Sequence, residues 1–237
     1  MSYTSLLDGD ILGYELGQDC IAGNYILWKE ARYNCDKKVQ HIIDQAGCCS
    51  AEVYLTDSQS NFRIALATIK PYKGNRDEHN KPPYWDKIRH HLLGQHGAEV
   101  CYGYEADDAM AMGQSDDTVI CSRDKDPDQV PGWHYSWECG KQKERKLYQV
   151  SEVEGLRTFY TQLIMGDTGD NIPGLFRVGR VTADKQLAQC ICELEMYKVV
   201  QKMYEDRFGS YWELFLVENA KLLYLLRNKE DVWKIPG

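Results

Sequence analysis

At 237 residues, with 43% hydrophobic and 27% charged side chains, the chain is long enough to bury a large core and too apolar for intrinsic disorder. The opening MSYTSLLDGD puts no basic stretch ahead of an apolar run, and no segment approaches the roughly 18 apolar residues of a membrane span, so a soluble protein without a recognisable export signal is expected. A net charge of −8 argues against nucleic acid as a partner unless the acids themselves hold cations, because phosphate binding is carried by lysine and arginine.

In chain order, SYTSLL reads as a short buried strand that delivers Asp8 at its carboxyl end. Asp10 follows as a cap of the next segment rather than a ligand. Residues 26–47 carry apolar side chains at helical spacing and stop at Gly47. AEVYLT is a second strand, ending at Asp57. Residues 82–97, PPYWDKIRHHLLGQHG, are framed by Pro and Gly as a further helix. Its histidines, His90, His91 and His96, have no partner motif and read as surface or core residues rather than ligands. AEVCYG is a third strand, after which Glu105 opens an Ala- and Met-rich helix, and DTVICS is a fourth, ending just before Asp124. WHYSWECGKQKERKLYQV has the pattern of a hairpin, and from residue 151 onward the chain is mostly helical.

Strands alternating with helices predict an α/β fold: a mostly parallel central sheet flanked by helices over residues 1–150, with a C-terminal helical lobe over 151–237, together forming one catalytic unit. Nine cysteines are odd in number, two of them adjacent (Cys48, Cys49), and no CxxC occurs, so free thiols in a reducing cytoplasm are expected.

The informative feature is the placement of acids. Asp8, Asp57, the Glu105–Asp107–Asp108 group and the Asp124–Asp126 pair each follow a predicted strand, and Asp167 with Asp170 lies at a Gly-rich helix end. Taken singly, each is equally a turn residue or a helix cap. Gathered at one edge of a parallel sheet, they repel one another and resist desolvation unless cations neutralise them. Hard oxygen ligands of this kind suit Mg²⁺ or Mn²⁺. With these nine carboxylates holding cations, the remaining charge is close to neutral, and the objection from net charge lapses.

Four stretches then resemble the motifs of the 5′→3′ exonuclease and flap-endonuclease family, in the family's order. PYKGNRD resembles its lysine-bearing YKGxR motif, YEADDAMA its EADD motif, SRDKDPDQV its S-x-DKDxxQL segment and MGDTGDNIPG its GDxxDNIPG segment. NIPGLFRVGRVTADKQL is similar to the helix-three-turn-helix element with which that family grips duplex phosphates. The resemblance covers Asp8 to about Leu187, and the closing RNKEDVWKIPG resembles the ends of podovirus-type phage exonucleases.

The resemblance implies a PIN-like, flap-endonuclease-like fold and a two-metal nuclease using two Mg²⁺ or Mn²⁺. Its first metal site would draw on Asp8, Asp57, Glu105, Asp107, Asp124 and Asp126, and a second on Asp108, Asp167 and Asp170. Lys73 and Arg76 would stabilise transition-state charge, and Tyr72 would stack on a terminal base. Gly174, Gly179, Arg180 and Thr182 would meet duplex phosphates at a helix N-terminus, with a K⁺ ion in the hairpin. The chain departs from the family at Arg180 and Val181, where an acid and a lysine are common, leaving Arg180 as the basic substitute. The implied partner is double-stranded DNA with a 5′ end, nick or flap, together with RNA–DNA hybrid, acted on by a monomer in the cytoplasm, the host's if the chain is phage-encoded. The stretch 70–83 corresponds to the arch through which a free 5′ end passes in relatives.

Two other readings remain. LLDGD and GDTGDN also resemble motifs of haloacid-dehalogenase-type phosphatases, where Asp8 would be the nucleophile and Asp10 the acid/base. A catalytically inactive DNA-binding accessory protein would instead carry Asn, Ala or Ser at several of the acidic positions, whereas the carboxylate set here is complete.

Overall fold

The computed structural model describes residues 3–76 and 81–237, with Ser58 by its backbone alone. Residues 77–80, inside the expected arch stretch, lie outside the described residues. The helices and strands run β1 (Thr4–Asp8), α1 (Gly9–Leu16), β2 (Cys20–Ile21), β3 (Asn24–Tyr25), α2 (Trp28–Gln45), β4 (Ser50–Asn61), α3 (Phe62–Leu66), α4 (Trp85–Gln95), β5 (Glu99–Gly103) and α5 (Ala106–Gly113). They continue with β6 (Thr118–Cys121), β7 (Gly132–Ser136), β8 (Arg145–Val150), α6 (Glu152–Met165), β9 (Gly166–Asp167), β10 (Ile172–Pro173), α7 (Arg180–Leu187), α8 (Glu193–Phe208) and α9 (Trp212–Leu223).

The chain forms two compact units. The first comprises residues up to Ser60, Asp77–Pro127 and Gly132–Val150; the second comprises Asn61–Arg76, Asp128–Pro131 and Ser151–Gly237. Two stretches that precede residue 150 therefore belong to the second unit.

The first unit is built on a six-stranded sheet in the order β5-β4-β1-β6-β7-β8. β1 pairs in parallel with β4 and β6, β6 in parallel with β7, and β7 antiparallel with β8. As the inner strand of a parallel sheet β1 is buried on both faces, which its run of Leu6 and Leu7 satisfies. Ala31, Cys35, Val39 and Ile42 recur every three or four residues along α2, and Ile88 and Leu92 along α4, so each helix turns one apolar stripe into this core.

Two features differ from the expectation. A helix, α1, follows β1 directly, because Asp8 caps it: its Oδ1 accepts the N–H groups of Asp10 (3.1 Å) and Ile11 (3.2 Å). Asp10 is thus not the cap. Its carboxylate instead takes the Thr56 N–H (3.0 Å) and the guanidinium of Arg89, tying α1 to β4 and α4. In addition β4 does not end before Asp57 but runs on to Asn61.

The second unit has its own core, centred on Tyr160, Leu163, Ile164, Val200, Tyr204 and Leu216. Among the described residues no helix is long and apolar enough to cross a membrane. All nine cysteines are free thiols.

A fully buried cation anchors this unit: Arg63, 1% exposed, donates from Nε to the Leu222 carbonyl (2.8 Å) and from Nη2 to the Tyr224 carbonyl (2.9 Å). Leu222 lies in the last turn of α9 and Tyr224 is its C-cap, positions where carbonyls have no intrahelical donor. Arg63→Met, which keeps much of the stem volume but removes the donors, is expected to lower unfolding free energy by about 2–4 kcal/mol in urea titration. A loss under about 1 kcal/mol would show that water or a neighbour replaces the guanidinium.

Candidate functional site

Three elements of the first unit bring carboxylates together. β1 ends at Asp8, which is 5% exposed. β6, paired with β1 up to Leu7 and Cys121, is followed by Ser122, whose hydroxyl donates to Asp8 Oδ2 (3.1 Å) and accepts the Asp124 N–H (3.1 Å). Ser122 therefore fixes Asp124 relative to Asp8, a role not assigned from sequence although the serine sits inside the quoted SRDKDPDQV stretch. α5 begins at Ala106 after Glu105, and Asp108 Oδ2 accepts the Glu105 N–H (3.0 Å) in a capping box. The Ala106 N–H goes to Thr56 Oγ1 (3.0 Å), anchoring this helix start to β4.

Electrostatics show which acids act on one another. Burial first, then the charges of Asp10 and Asp124, raise the Asp8 carboxyl to about 7, against partial relief from the Ile11 N–H and Ser122. Asp107 is pushed well above the usual carboxylate range by burial and by the charges of Asp8, Asp124, Asp126 and Glu105. Its Oδ1 is shielded from solvent and has no hydrogen-bond partner. A buried carboxylate oxygen without a donor is the atom that a cation would satisfy.

The other predicted acids are placed differently. Asp57 Oδ2 accepts the N–H (2.9 Å) and hydroxyl (2.7 Å) of Ser60, which hold its carboxyl below the ordinary range, the opposite direction from Asp8 and Asp107. Asp108 is fully buried and caps α5. Asp167 and Asp170 belong to the second unit. Asp167 Oδ1 accepts the N–H groups of Gly169 (2.7 Å) and Asp170 (3.2 Å), closing a turn.

Asp170 is the hub of a basic loop in that same unit. It takes the Tyr72 hydroxyl (2.8 Å) on Oδ2, and on Oδ1 it takes Arg76 Nη2 (2.6 Å), with Lys73 Nζ 3.9 Å away. Its carbonyl also accepts the Lys73 N–H (2.9 Å), and Asn171 Nδ2 reaches the Pro71 carbonyl (2.8 Å). Lys73 and Asn171 both adopt positive φ, 54° and 60°, to make these contacts. Tyr72 corrects the expectation of a stacking platform: it is 8% exposed and part of the second core, so its ring packs and its hydroxyl positions Asp170.

The expected helix-three-turn-helix corresponds to α6, the stretch 166–179 and α7. Gly174 is required there by packing, independently of any phosphate contact. A Cβ on it would stand 2.1 Å from the Met165 carbonyl carbon and 2.2 Å from the Gly166 nitrogen, where β9 and β10 pair. Gly179 is different: it is exposed, has open space around it and caps α7. Arg180 and Thr182 are exposed on the first turn of α7, with Arg180 Nε shared between both Asp184 oxygens (2.9 Å each) and the Thr182 N–H returned to the Gly179 carbonyl (3.0 Å). Beside them Phe176 is 66% exposed, with the guanidinium groups of Arg177 and Arg207 5.0 and 5.6 Å from its ring centre. No sequence pattern singled out this aromatic with its two arginines, because Arg207 lies on α8.

Compared by sequence, the chain matches no family model and no curated protein. Compared by structure, it matches the 5′-exonuclease of bacteriophage T5 with bound zinc at a TM-score of 0.69 and 18% identity, over 94% of this chain and 89% of that one. The bacteriophage T5 flap endonuclease in a pseudo-enzyme–product complex with DNA and metal ions aligns at 0.67 and 18% identity, over 95% and 89%. Flap endonuclease-1 from Methanococcus jannaschii aligns at 0.62 and 10% identity, over 97% and 81%. The fold is the one these 5′-exonuclease and flap-endonuclease structures share, as the resemblance implied.

The raised carboxyls have a sign that can be measured. A native pKa above the unfolded value means that the folded protein binds more protons between the two, so stability falls as pH rises across that window. For Asp8 the window runs from 3.8 to about 7. In EDTA, the Tm should therefore drop from pH 5 to pH 7.5, Asp107→Asn should shrink the drop, and Mg²⁺ should restore stability at the higher pH. A Tm that ignores both Mg²⁺ and Asp107→Asn at pH 7.5 would mean that the acids are not under electrostatic strain.

Proposed function

We propose that this chain is a metal-dependent, structure-specific 5′ nuclease that hydrolyses DNA phosphodiesters at a 5′ end, nick or flap and leaves 5′-phosphates. The observation that carries the reading is Asp107: a shielded carboxylate oxygen without a donor, among four other acids that raise its pKa, in a fold shared with 5′-exonucleases and flap endonucleases. Such a donor set is all oxygen and strongly anionic, which fits Mg²⁺ or Mn²⁺. Asp8, Glu105, Asp107, Asp124 and Asp126 are the acids assigned to the cations, with Asp57 and Asp108 supporting them through β4 and α5. The family resemblance adds Asp167 and Asp170 as further acids of the two-ion form, where Asp170 would have to exchange its contacts with Tyr72 and Arg76 for an ion. When bound, the ions supply Lewis acidity at the phosphate oxygens and activation of the attacking water.

The chain's own groups account for the rest. Lys73 and Arg76 already converge on one anionic oxygen, that of Asp170, and a non-bridging phosphate oxygen offers them the same charge. They are assigned to transition-state charge stabilisation, with Asp170 and Tyr72 holding their loop in place. The exposed start of α7, from Gly179 to Thr182, and Phe176 with Arg177 and Arg207 are assigned to the duplex, through backbone N–H groups, guanidinium charge and an aromatic face. The proposal extends to K⁺ in the 166–179 stretch, to RNA–DNA hybrid as a second substrate and to a monomeric enzyme.

The phosphatase reading needs Asp10 as a mobile acid/base. Arg89 and the Thr56 N–H occupy its two oxygens, which argues against that use.

A 5′-labelled nicked or flapped duplex, incubated with Mg²⁺ and in parallel with EDTA, decides the matter. Short 5′-phosphorylated products are expected only with metal, falling about 10²-fold or more in Lys73→Ala and in Asp107→Asn. Inert DNA beside a hydrolysed small phosphate ester would install the phosphatase instead, and DNA bound tightly but left uncut would install the accessory protein.

A further inference from the structure

Outside the acidic group, three side chains of the first unit converge in a different chemistry. His91 Nε2 lies 2.6 Å and His96 Nε2 2.8 Å from the same oxygen, Asp36 Oδ1. Among the described residues these are the three metal-type side chains whose ligand atoms all lie within 4.8 Å of one another. We propose that Asp36, His91 and His96 form a binding site for a zinc-class divalent ion that joins α2 to the end of α4.

The local structure explains how two histidines five residues apart can share one ligand point. On a continuous helix that spacing would not place them on one face. α4 ends at Gln95, however, and His96 is its C-cap, with φ −108° and ψ 4°, its N–H held by the Leu92 carbonyl (3.0 Å). The turn continues through Gly97 at φ 62°, and the His96 ring comes edge-on to that of His91, 5.6 Å between centres. Trp28, the first residue of α2, also packs against His91 at right angles, 6.3 Å between ring centres.

An ion can take the place of the protons that hold the trio together. If both imidazoles are protonated to donate to Asp36, two cations sit ring to ring against a single negative charge. If both are neutral, one carboxylate oxygen takes two weak donors. A divalent ion with two neutral imidazoles and one carboxylate satisfies all three ligand atoms. With bond lengths of about 2.0–2.2 Å, tetrahedral ligands stand roughly 3.4 Å apart, so the 2.6 and 2.8 Å separations would widen by small side-chain rotations as an ion replaces the hydrogen bonds. Imidazole nitrogen selects zinc-class ions, whereas the all-oxygen group selects Mg²⁺ or Mn²⁺, so one unit would hold two chemically separate metal sites.

The remaining coordination falls to water. The neighbouring Cys35 is fully buried in the core of this unit and is not among the side chains whose ligand atoms converge. The Asp36 side chain is 42% exposed, which leaves an approach for the ion from solvent. The carboxyl of Asp36 is held below its ordinary range: burial would raise it, but the hydrogen bonds from His91 and His96 outweigh burial. It therefore remains an anionic ligand at neutral pH.

The test uses the full chain, freed of metal and kept in millimolar Mg²⁺ so that the acidic group is not available to zinc. One Zn²⁺ per chain should bind, Co²⁺ in its place should give the intense visible bands of a four-coordinate site, and Tm should rise by about 5 °C or more at saturating Zn²⁺. His91→Ala and His96→Ala should each abolish all three signals, while Asp107→Asn should leave them intact. Loss of the signals in Asp107→Asn, or their survival in the histidine variants, would overturn the proposal. Should the variants fail to fold, imidazole resonances of the unaltered protein decide it: two histidines, and only two, should shift with one equivalent of Zn²⁺, and a set that does not move overturns the site. None of these readouts depends on nuclease activity, so the two metal proposals stand or fall separately.

Discussion

The mutual repulsion of buried carboxyls around Asp107 is the constraint to which the first unit is built. Asp8, Glu105, Asp124 and Asp126 all raise the Asp107 pKa, and Asp8 itself is lifted to about 7. The fold offsets part of this with the positive ends of two helices. Asp8 caps α1 through two N–H groups, and Glu105, Asp107 and Asp108 occupy the start of α5, where anions are stabilised. Sheet order does the rest: with β1 between β4 and β6, the acid that ends β1 stands beside the serine that follows β6. What dipoles and hydrogen bonds leave uncompensated is what the cations of the proposed nuclease would neutralise.

In the second unit the corresponding organiser is a single carboxylate. Asp170 fastens the Tyr72–Arg76 loop through a hydroxyl, an ammonium, a guanidinium and a backbone N–H, and two residues accept positive φ for it. Conformations of that kind cost on the order of 1–3 kcal/mol and persist only where surrounding contacts impose them. The loop is consequently pre-ordered, with its basic groups aimed at one anionic oxygen, that of Asp170. Pre-ordering of this kind is what transition-state stabilisation requires, since a charge that must first be positioned contributes less.

Much of this was legible in the sequence because the acids coincide with strand ends, and a parallel sheet puts strand ends on one edge. The strands that carry Asp8 and Asp124 and the helix after Glu105 were readable for that reason. α1 was not, since eight residues containing two glycines show little periodicity, and its cap is the same aspartate that reads as a ligand. The length of β4 was hidden because the polar run after Thr56 looks like a turn. Tyr72 was misread because an aromatic beside a lysine is equally a stacking face or a core residue, and only the packing of α6 and α8 decides. Asp36 was invisible as the partner of His91 and His96 because it is 55 and 60 residues away and lies on another helix.

Net charge shows the same limit of one-dimensional reading. A chain at −8 should repel DNA if its charges were spread evenly. They are sorted instead. Five mutually repelling acids lie in one group of the first unit, while Lys73, Arg76, Arg177, Arg180 and Arg207 belong to the second unit, with an exposed helix start among them. The quantity that governs an encounter with a polyanion is the local field, and the divalent ions of the proposed site would reverse its sign where the acids are densest. A sequence total therefore excludes nucleic acid only when the acids have no reason to be together, and here the unsatisfied oxygen of Asp107 supplies the reason.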